Sequence, residues 1–183
     1  SLHWAKQIHS LRSHGIFKDT SDHITPSQNP WYYEQQSLGF NYRLTDIQAA
    51  LGISQLLRLP SIIAERTKIH NHYSLNICHS KVTLLTIPDD VLSSFHLAII
   101  RLEDCTPAYH SMVFSKLRNS GIGVQLHYMP VHLQPYYRKL GFNEGNFPHS
   151  ESFARSVLSI PLYPGLTDEQ VSRVSQLISM FVS

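Results

Sequence analysis

The sequence predicts an α+β chain with helices packed on a short sheet, and three observations carry that reading. Apolar residues recur at three- and four-residue spacing along several stretches of the 183-residue chain, and two of these open on a capping pattern. Two other stretches, Val82 to Ile87 and Ser94 to Leu102 (SFHLAIIRL), are apolar and β-branched over strand length. The order strand, helix, strand, then helices in the second half implies a small antiparallel-leaning sheet covered by helices on one side.

Taken in order, Leu2 to Ser13 reads as a helix with Leu2, Ala5, Ile8 and Leu11 on one face, stopped at His14-Gly15. Lys6 falls on the exposed face of that helix and reads as a solvated charge. Residues 16 to 38, rich in Asp, Ser, Thr, Pro and Asn, read as an irregular loop. The cluster Trp31-Tyr32-Tyr33 inside it suits an anchor on a core equally with contact to a ligand or second subunit.

Thr45 and Gln48 have capping-box spacing, so a helix starts near Thr45 and runs to Leu59, and Pro60 opens a second helix carrying Ile62, Ile63, Ile69 and Tyr73. Pro107 to Asn119 is helical and ends at Ser120-Gly121, and Ile122 to Leu126 is the next strand. A helical turn near Tyr136 to Leu140 precedes a helix over 148 to 158 and an extended segment, Ile160 to Tyr163. Thr167 and Gln170 form a second capping box at the head of the final helix, with Val171, Val174, Ile178 and Phe181 on one face.

Composition excludes several classes of function. The formal charge of +2 comes without a Lys/Arg run, so no nucleic-acid partner is expected. Cys78 and Cys105 form neither a CxxC nor a disulfide framework, which suits a reducing cytoplasm. The 12 histidines are scattered, and pairs such as His70 and His72 fall on different faces of a helix, so no metal site is expected. No run of about 18 apolar residues and no basic-then-apolar leader is present, so no membrane is expected either. The chain begins at Ser1, without Met, directly in helix-like sequence, which hints at a truncated chain.

Two stretches carry chemistry. In Gly39-Phe40-Asn41-Tyr42-Arg43 a polar loop turns into a helix. Asn41 offers an amide donor and Arg43 a planar fork of donors, while Gly39 permits a torsion or close approach that bulkier residues resist. Such a loop suits an anionic ligand, although Asn, Gly and Arg are also ordinary turn and surface residues. In Gly121 to Tyr137 a strand ends in His127-Tyr128-Met129-Pro130-Val131, placing an imidazole, a phenol and free backbone groups at a strand terminus. Such groups either hold a base or sugar or anchor the loop. His132 and Tyr136 read as packing or rim residues.

The segments GFNYRLTDIQAALGISQ, GIGVQLHYMPVHLQPYY and SIPLYPGLTDEQVSRV resemble the DegT/DnrJ/EryC1/StrS aminotransferases, and within them the branch that acts in pseudaminic acid synthesis. The resemblance covers nearly the whole chain and implies a pyridoxal-phosphate enzyme that moves an amino group, with glutamate as donor, to a UDP-linked 4-keto sugar. It implies the small C-terminal domain of a fold-type I aminotransferase, with residues 1 to 40 as the tail of the larger domain and 41 to 183 as the small domain with its linking helices.

By the same resemblance Asn41 donates to the cofactor phosphate, Arg43 meets the substrate phosphates, and His127, Tyr128, Met129, Pro130 and Val131 lie along the nucleotide-sugar. The sites are shared within a homodimer. The lysine that anchors the cofactor covalently falls upstream of Ser1 in this family, so no catalytic residue is expected here and the chain alone is expected to be inactive. The rival reading is a non-catalytic dimerisation or nucleotide-binding module. An in-frame Lys-and-Gly-rich stretch upstream of Ser1 distinguishes the two.

Overall fold

The structure is a computed structural model that describes residues 1–27 and 29–183. The chain packs as two compact units, Ser1–Leu57 and Arg58–Ser183.

The first unit opens with α1 (Leu2–Leu11), which stops where His14 and Gly15 both take positive φ. The stretch after it is less irregular than its composition suggests. Strands β1 (Ile16–Phe17) and β2 (Glu34–Gln35) pair antiparallel, Ile16 opposite Gln35 and Phe17 opposite Glu34, and a 3-10 turn, Thr20–Asp22, lies between them. Strands of two residues are too short to display an alternating pattern, which is why sequence reading misses them. The Glu34 carboxylate closes the ribbon by accepting from the backbone N–H groups of Ile24 and Thr25, at 3.0 and 2.8 Å.

Helix α2 (Asp46–Asn76) begins as expected, with reciprocal bonds between Thr45 and Gln48. It does not break at Pro60: the two expected helices are one, with the proline inside. Proline removes the donor for the Leu56 carbonyl, but Leu56 is exposed and water can take that place. Ser61 Oγ donates to the Arg58 carbonyl at 2.8 Å, and the later turns are held by burial of Ile69 and Tyr73. The joined helix is long and apolar enough to cross a membrane by length and composition alone, its best 18-residue window having a mean hydropathy of 1.3. Such a helix is weak evidence for a span.

The second unit is built on a four-stranded antiparallel sheet in the order β3 (Val82–Leu84), β4 (Ala98–Leu102), β6 (Val157–Ile160), β5 (Gln125–Leu126). Register pairs Leu84 with Ile100, Ile100 with Leu158 and Leu158 with Leu126. Alternation places Val82, Leu84, Ala98, Ile100, Leu102, Leu158 and Ile160 on one apolar face. Against it pack Ile69 and Tyr73 of α2, Val113 and Leu117 of α3 (Pro107–Asn119), and Val171, Val174 and Ile178 of α6 (Asp168–Val182). The capping box Thr167/Gln170 is formed as the sequence implies.

The main departure in this unit is β6. Residues 157 and 158 read as the end of a helix, yet after the short α4 (Pro135–Arg138) helix α5 (Pro148–Ser156) stops at Ser156 and the strand begins at Val157. All four of its residues are buried, so both faces are covered and the strand shows no polar alternation to announce it. The expected extended segment begins where this strand ends.

Tyr73, fully buried, donates from its hydroxyl to the Pro161 carbonyl at 2.8 Å. Replacing it by Phe orphans that carbonyl and is expected to cost about 1–2 kcal/mol in urea unfolding. Burial also pushes the phenol well above its usual value near 10. The fold therefore favours the protonated form, so the stability linked to Tyr73 is whole below pH 10 and is lost as pH rises beyond it. Tyr73→Phe is expected to remove that part of the alkaline decline.

Candidate functional site

Each unit carries one of the two chemical stretches, and each is described by itself. In the first, residues 39–43 run extended alongside the end of α1 and are tied to it through the backbone. Phe40 N–H donates to the Leu11 carbonyl at 2.7 Å, His14 N–H to Phe40 at 2.8 Å, and Tyr42 N–H to Arg12 at 2.8 Å. Approach this close requires glycine. A Cβ on Gly39 would lie 2.3 Å from the Gly15 nitrogen and 2.7 Å from the Leu11 carbonyl oxygen.

With the backbone fixed, the side chains alternate. Phe40 and Tyr42 stack with ring centroids 5.0 Å apart, and Asn41 and Arg43 take the intervening positions. Both are exposed, and among the described residues neither side chain has a hydrogen-bond or ion-pair partner.

Arg43 lines a cavity of about 700 Å³ whose wall includes Lys6, His9 and Ser10 of α1, together with Lys18, Asp22 and Tyr33. Lys6 is thus not simply a solvated charge. Its Nζ donates to Asp22 Oδ1 at 3.0 Å across the cavity wall. Lys18 and Arg43 have no carboxylate partner among the described residues, so the wall carries surplus positive charge. The sequence held a signal for it in the polar spacing Lys6, His9, Ser10, Ser13 along one helical face. The aromatic cluster divides: Tyr32 turns inward, edge-on to His23, while Trp31 and Tyr33 stay exposed.

In the second unit, His127, Tyr128, Met129, Pro130 and Val131 form one continuous loop after β5. The His127–Tyr128 peptide is cis. His127 Nδ1 lies 3.1 Å from the Ser159 hydroxyl of β6, and its ring meets that of Phe153 in α5 (Pro148–Ser156) edge-on. Tyr128, Met129 and Val131 are exposed, Tyr128 to 66%. Thus the loop leaves Tyr128, Met129 and Val131 exposed, with the Tyr128 ring centroid lying 4.7 Å from that of His127.

The loop ends in a 3-10 turn, Val131–Leu133, which carries His132, expected from the sequence as a packing or rim residue. Packing it is, but around a carboxylate. His132 Nε2 lies 2.8 Å from Glu151 Oε1, and both side chains are almost fully buried, 8% and 3% exposed. Glu151 also accepts from the backbone N–H groups of Gly145 and Phe147, at 2.9 and 3.3 Å. The hydrogen bond from His132 holds the carboxyl below its usual range, and those two N–H groups assist. What the ionised form contributes to stability is therefore present above pH 4.5 and lost as the pH falls below it.

A sequence profile described as the DegT/DnrJ/EryC1/StrS aminotransferase family matches residues 3–179. The chain belongs to that family. Among its relatives, the spore coat polysaccharide biosynthesis protein SpsC of Bacillus subtilis is 32% identical over 180 residues, which are 95% of this chain and 46% of SpsC. The PMP-form of the putative sugar aminotransferase Spr1654 of Streptococcus pneumoniae superposes with a TM-score of 0.88 at 28% identity, covering 99% of this chain and 45% of that one. Helicobacter pylori PseC, an aminotransferase involved in the biosynthesis of pseudoaminic acid, superposes with a TM-score of 0.85 at 25% identity, covering 99% and 46%. The chain spans about half the length of the relatives it matches. The expected helices on a small sheet are observed, in a chain that covers 45% of the Spr1654 aminotransferase.

Proposed function

We propose that this chain is the C-terminal portion of a pyridoxal-phosphate-dependent aminotransferase that transfers an amino group from glutamate to the keto carbon of a UDP-linked 4-keto sugar. The observation that supports it most is the 39–43 segment, clamped to α1 by its backbone while presenting two exposed phosphate-type donors, Asn41 and Arg43, without partners among the described residues. Family membership and the likeness to PseC favour the amino-sugar reading, and the pseudaminic acid branch within it.

The donors present fit the cofactor's phosphate. Asn41 would hold it through its amide, and Arg43 would grip the diphosphate of the nucleotide through its planar fork. Bound pyridoxal phosphate supplies the electron sink through which the amino group is exchanged. His127 to Val131 would lie along the nucleotide-sugar, with the exposed Tyr128 ring as a flat contact surface. No residue of this chain is assigned the proton transfers. On this reading a lysine outside this segment performs them, and the segment alone is expected to be inactive.

Residues 1 to 40 belong on this reading to the larger domain, and 41 to 183 to the small domain with its linking helices. The exposed apolar residues Ile47, Leu51 and Leu57 of α2 would face a second subunit in a cytoplasmic homodimer.

The test is amination of a UDP-linked 4-keto sugar by the enzyme containing this segment, followed by the absorbance of the cofactor. Tyr128→Ala is expected to raise KM for the nucleotide-sugar about tenfold, the scale set by stacking on one aromatic ring. An unchanged KM would remove the 127–131 loop from the substrate site.

A further inference from the structure

Resting on the reading that the 127–131 loop faces the nucleotide-sugar, we propose that Glu151 and His132 are positioning residues, a buried polar latch that sets the conformation of that loop and so the enzyme's affinity for the nucleotide-sugar.

The loop is held at both ends and exposed in the middle. At its start the His127 ring is fixed by the Ser159 hydroxyl at 3.1 Å and by the edge of Phe153. Just past its end, His132 is fixed by Glu151 at 2.8 Å and packs edge-on against Phe147 at 4.8 Å. Both anchors lead to one element, because Phe153 and Glu151 are two residues apart on α5. Between the anchors Tyr128, Met129 and Val131 project outward. A segment whose ends are bound to the fold and whose centre is exposed presents a surface in a fixed shape, which lowers the ordering cost of binding.

Glu151 does more than pair with His132. Its carboxylate also accepts from Gly145 and Phe147 N–H groups, tying the turn at 145–147 to α5 and to the 3-10 turn that follows the loop. Outside this cluster, Arg155 reaches Glu151 Oε2 at 3.9 Å and binds Glu144 at 3.1 Å. A buried charge with this many donors is a poor way to add stability, since an apolar pair of similar volume serves equally well. What it supplies is geometry, because the carboxylate accepts along fixed directions from three donors on two segments, joining both to α5.

The experiment compares Glu151→Gln, His132→Gln and Tyr128→Ala in the enzyme containing this segment. Three quantities are read: affinity for UDP-sugar by calorimetry, the rate of the half-reaction with glutamate from the cofactor spectrum, and amide exchange over residues 128–131. A latch predicts that both Gln variants lose roughly tenfold in UDP-sugar affinity, the scale of one hydrogen bond in a positioned network. It also predicts faster exchange at 128–131 and a glutamate half-reaction within about twofold of the unmodified enzyme.

Unchanged UDP-sugar affinity in the Gln variants, with Tyr128→Ala still weakening it, overturns the latch and leaves the site reading standing. Equal losses in both half-reactions also overturn it, because they mark general destabilisation. Unchanged affinity in Tyr128→Ala overturns the site reading and the latch with it. Should Glu151→Gln fail to fold, His132→Gln decides by the same measurements, since it leaves the Gly145 and Phe147 bonds to Glu151 in place.

Discussion

Gly39→Ala is expected to destabilise the first unit by about 3 kcal/mol and to free the 39–43 segment from α1. The added Cβ would sit 2.3 Å from the Gly15 nitrogen and 2.7 Å from both the Leu11 carbonyl oxygen and the His14 carbonyl carbon. All three are backbone atoms, so no side chain can swing aside. Relief requires the two backbones to separate, and that breaks the bonds Phe40 to Leu11, His14 to Phe40 and Tyr42 to Arg12. The partner strand has no slack either. Gly15 holds φ at +70°, and a Cβ there would lie 2.0 Å from the Ser37 carbonyl oxygen.

Hydrogen exchange measures the outcome directly. Amides of His14, Phe40 and Tyr42 should lose protection in Gly39→Ala, while those of β4 and β6 in the second unit keep theirs. If the 39–43 amides stay protected, the close approach is not what holds the segment.

Features governed by near neighbours were legible in the sequence. Both capping boxes need only residues three apart, and both formed, Thr45 with Gln48 and Thr167 with Gln170. The close approach at Gly39 was legible because only glycine relieves it. Features decided at long range were not. Pro60 carries a local break signal, but burial of Ile69 and Tyr73 in the core keeps α2 whole. The strand β6 hides because a segment buried on both faces, Ser159 included, shows no exposed polar alternation, and a preceding helical pattern absorbs its first residues.

The same division runs through the candidate site. Asn41, Arg43 and the 127–131 loop stand out by residue type and order, whereas the ion pair of Lys6 with Asp22 spans 16 positions. The bond of His132 to Glu151 spans 19 positions and leaves no trace in spacing. Read locally, Glu151 is an ordinary acidic residue in the first turn of α5, and only burial reveals it as the acceptor for three donors on two other segments.

Arg43→Ala, in the enzyme containing this segment, is expected to weaken nucleotide-sugar binding about 10- to 100-fold while leaving thermal unfolding nearly unchanged. The split follows from what Arg43 touches. Its side chain is exposed and has no partner among the described residues, so removing it breaks nothing inside the fold. Toward a diphosphate the same freedom becomes useful: a guanidinium offers parallel N–H donors matched to two phosphate oxygens, and a hydrogen bond to a charged group contributes roughly 1.5–3 kcal/mol.

Arg43→Lys separates charge from shape. Lysine keeps the positive charge beside the surplus already carried by Lys18 but loses the fork, so it should recover part of the affinity and not all of it. Full recovery would reduce Arg43 to a contribution of bulk charge, and the deficit of Arg43→Ala would then fade as salt is raised past about 0.5 M, where exposed charges are screened within a few ångströms. Geometry-specific gripping predicts instead that the difference between Arg and Lys persists in salt. A loss of thermal stability equal to the loss of binding would mean that Arg43 supports the fold and does not serve the ligand.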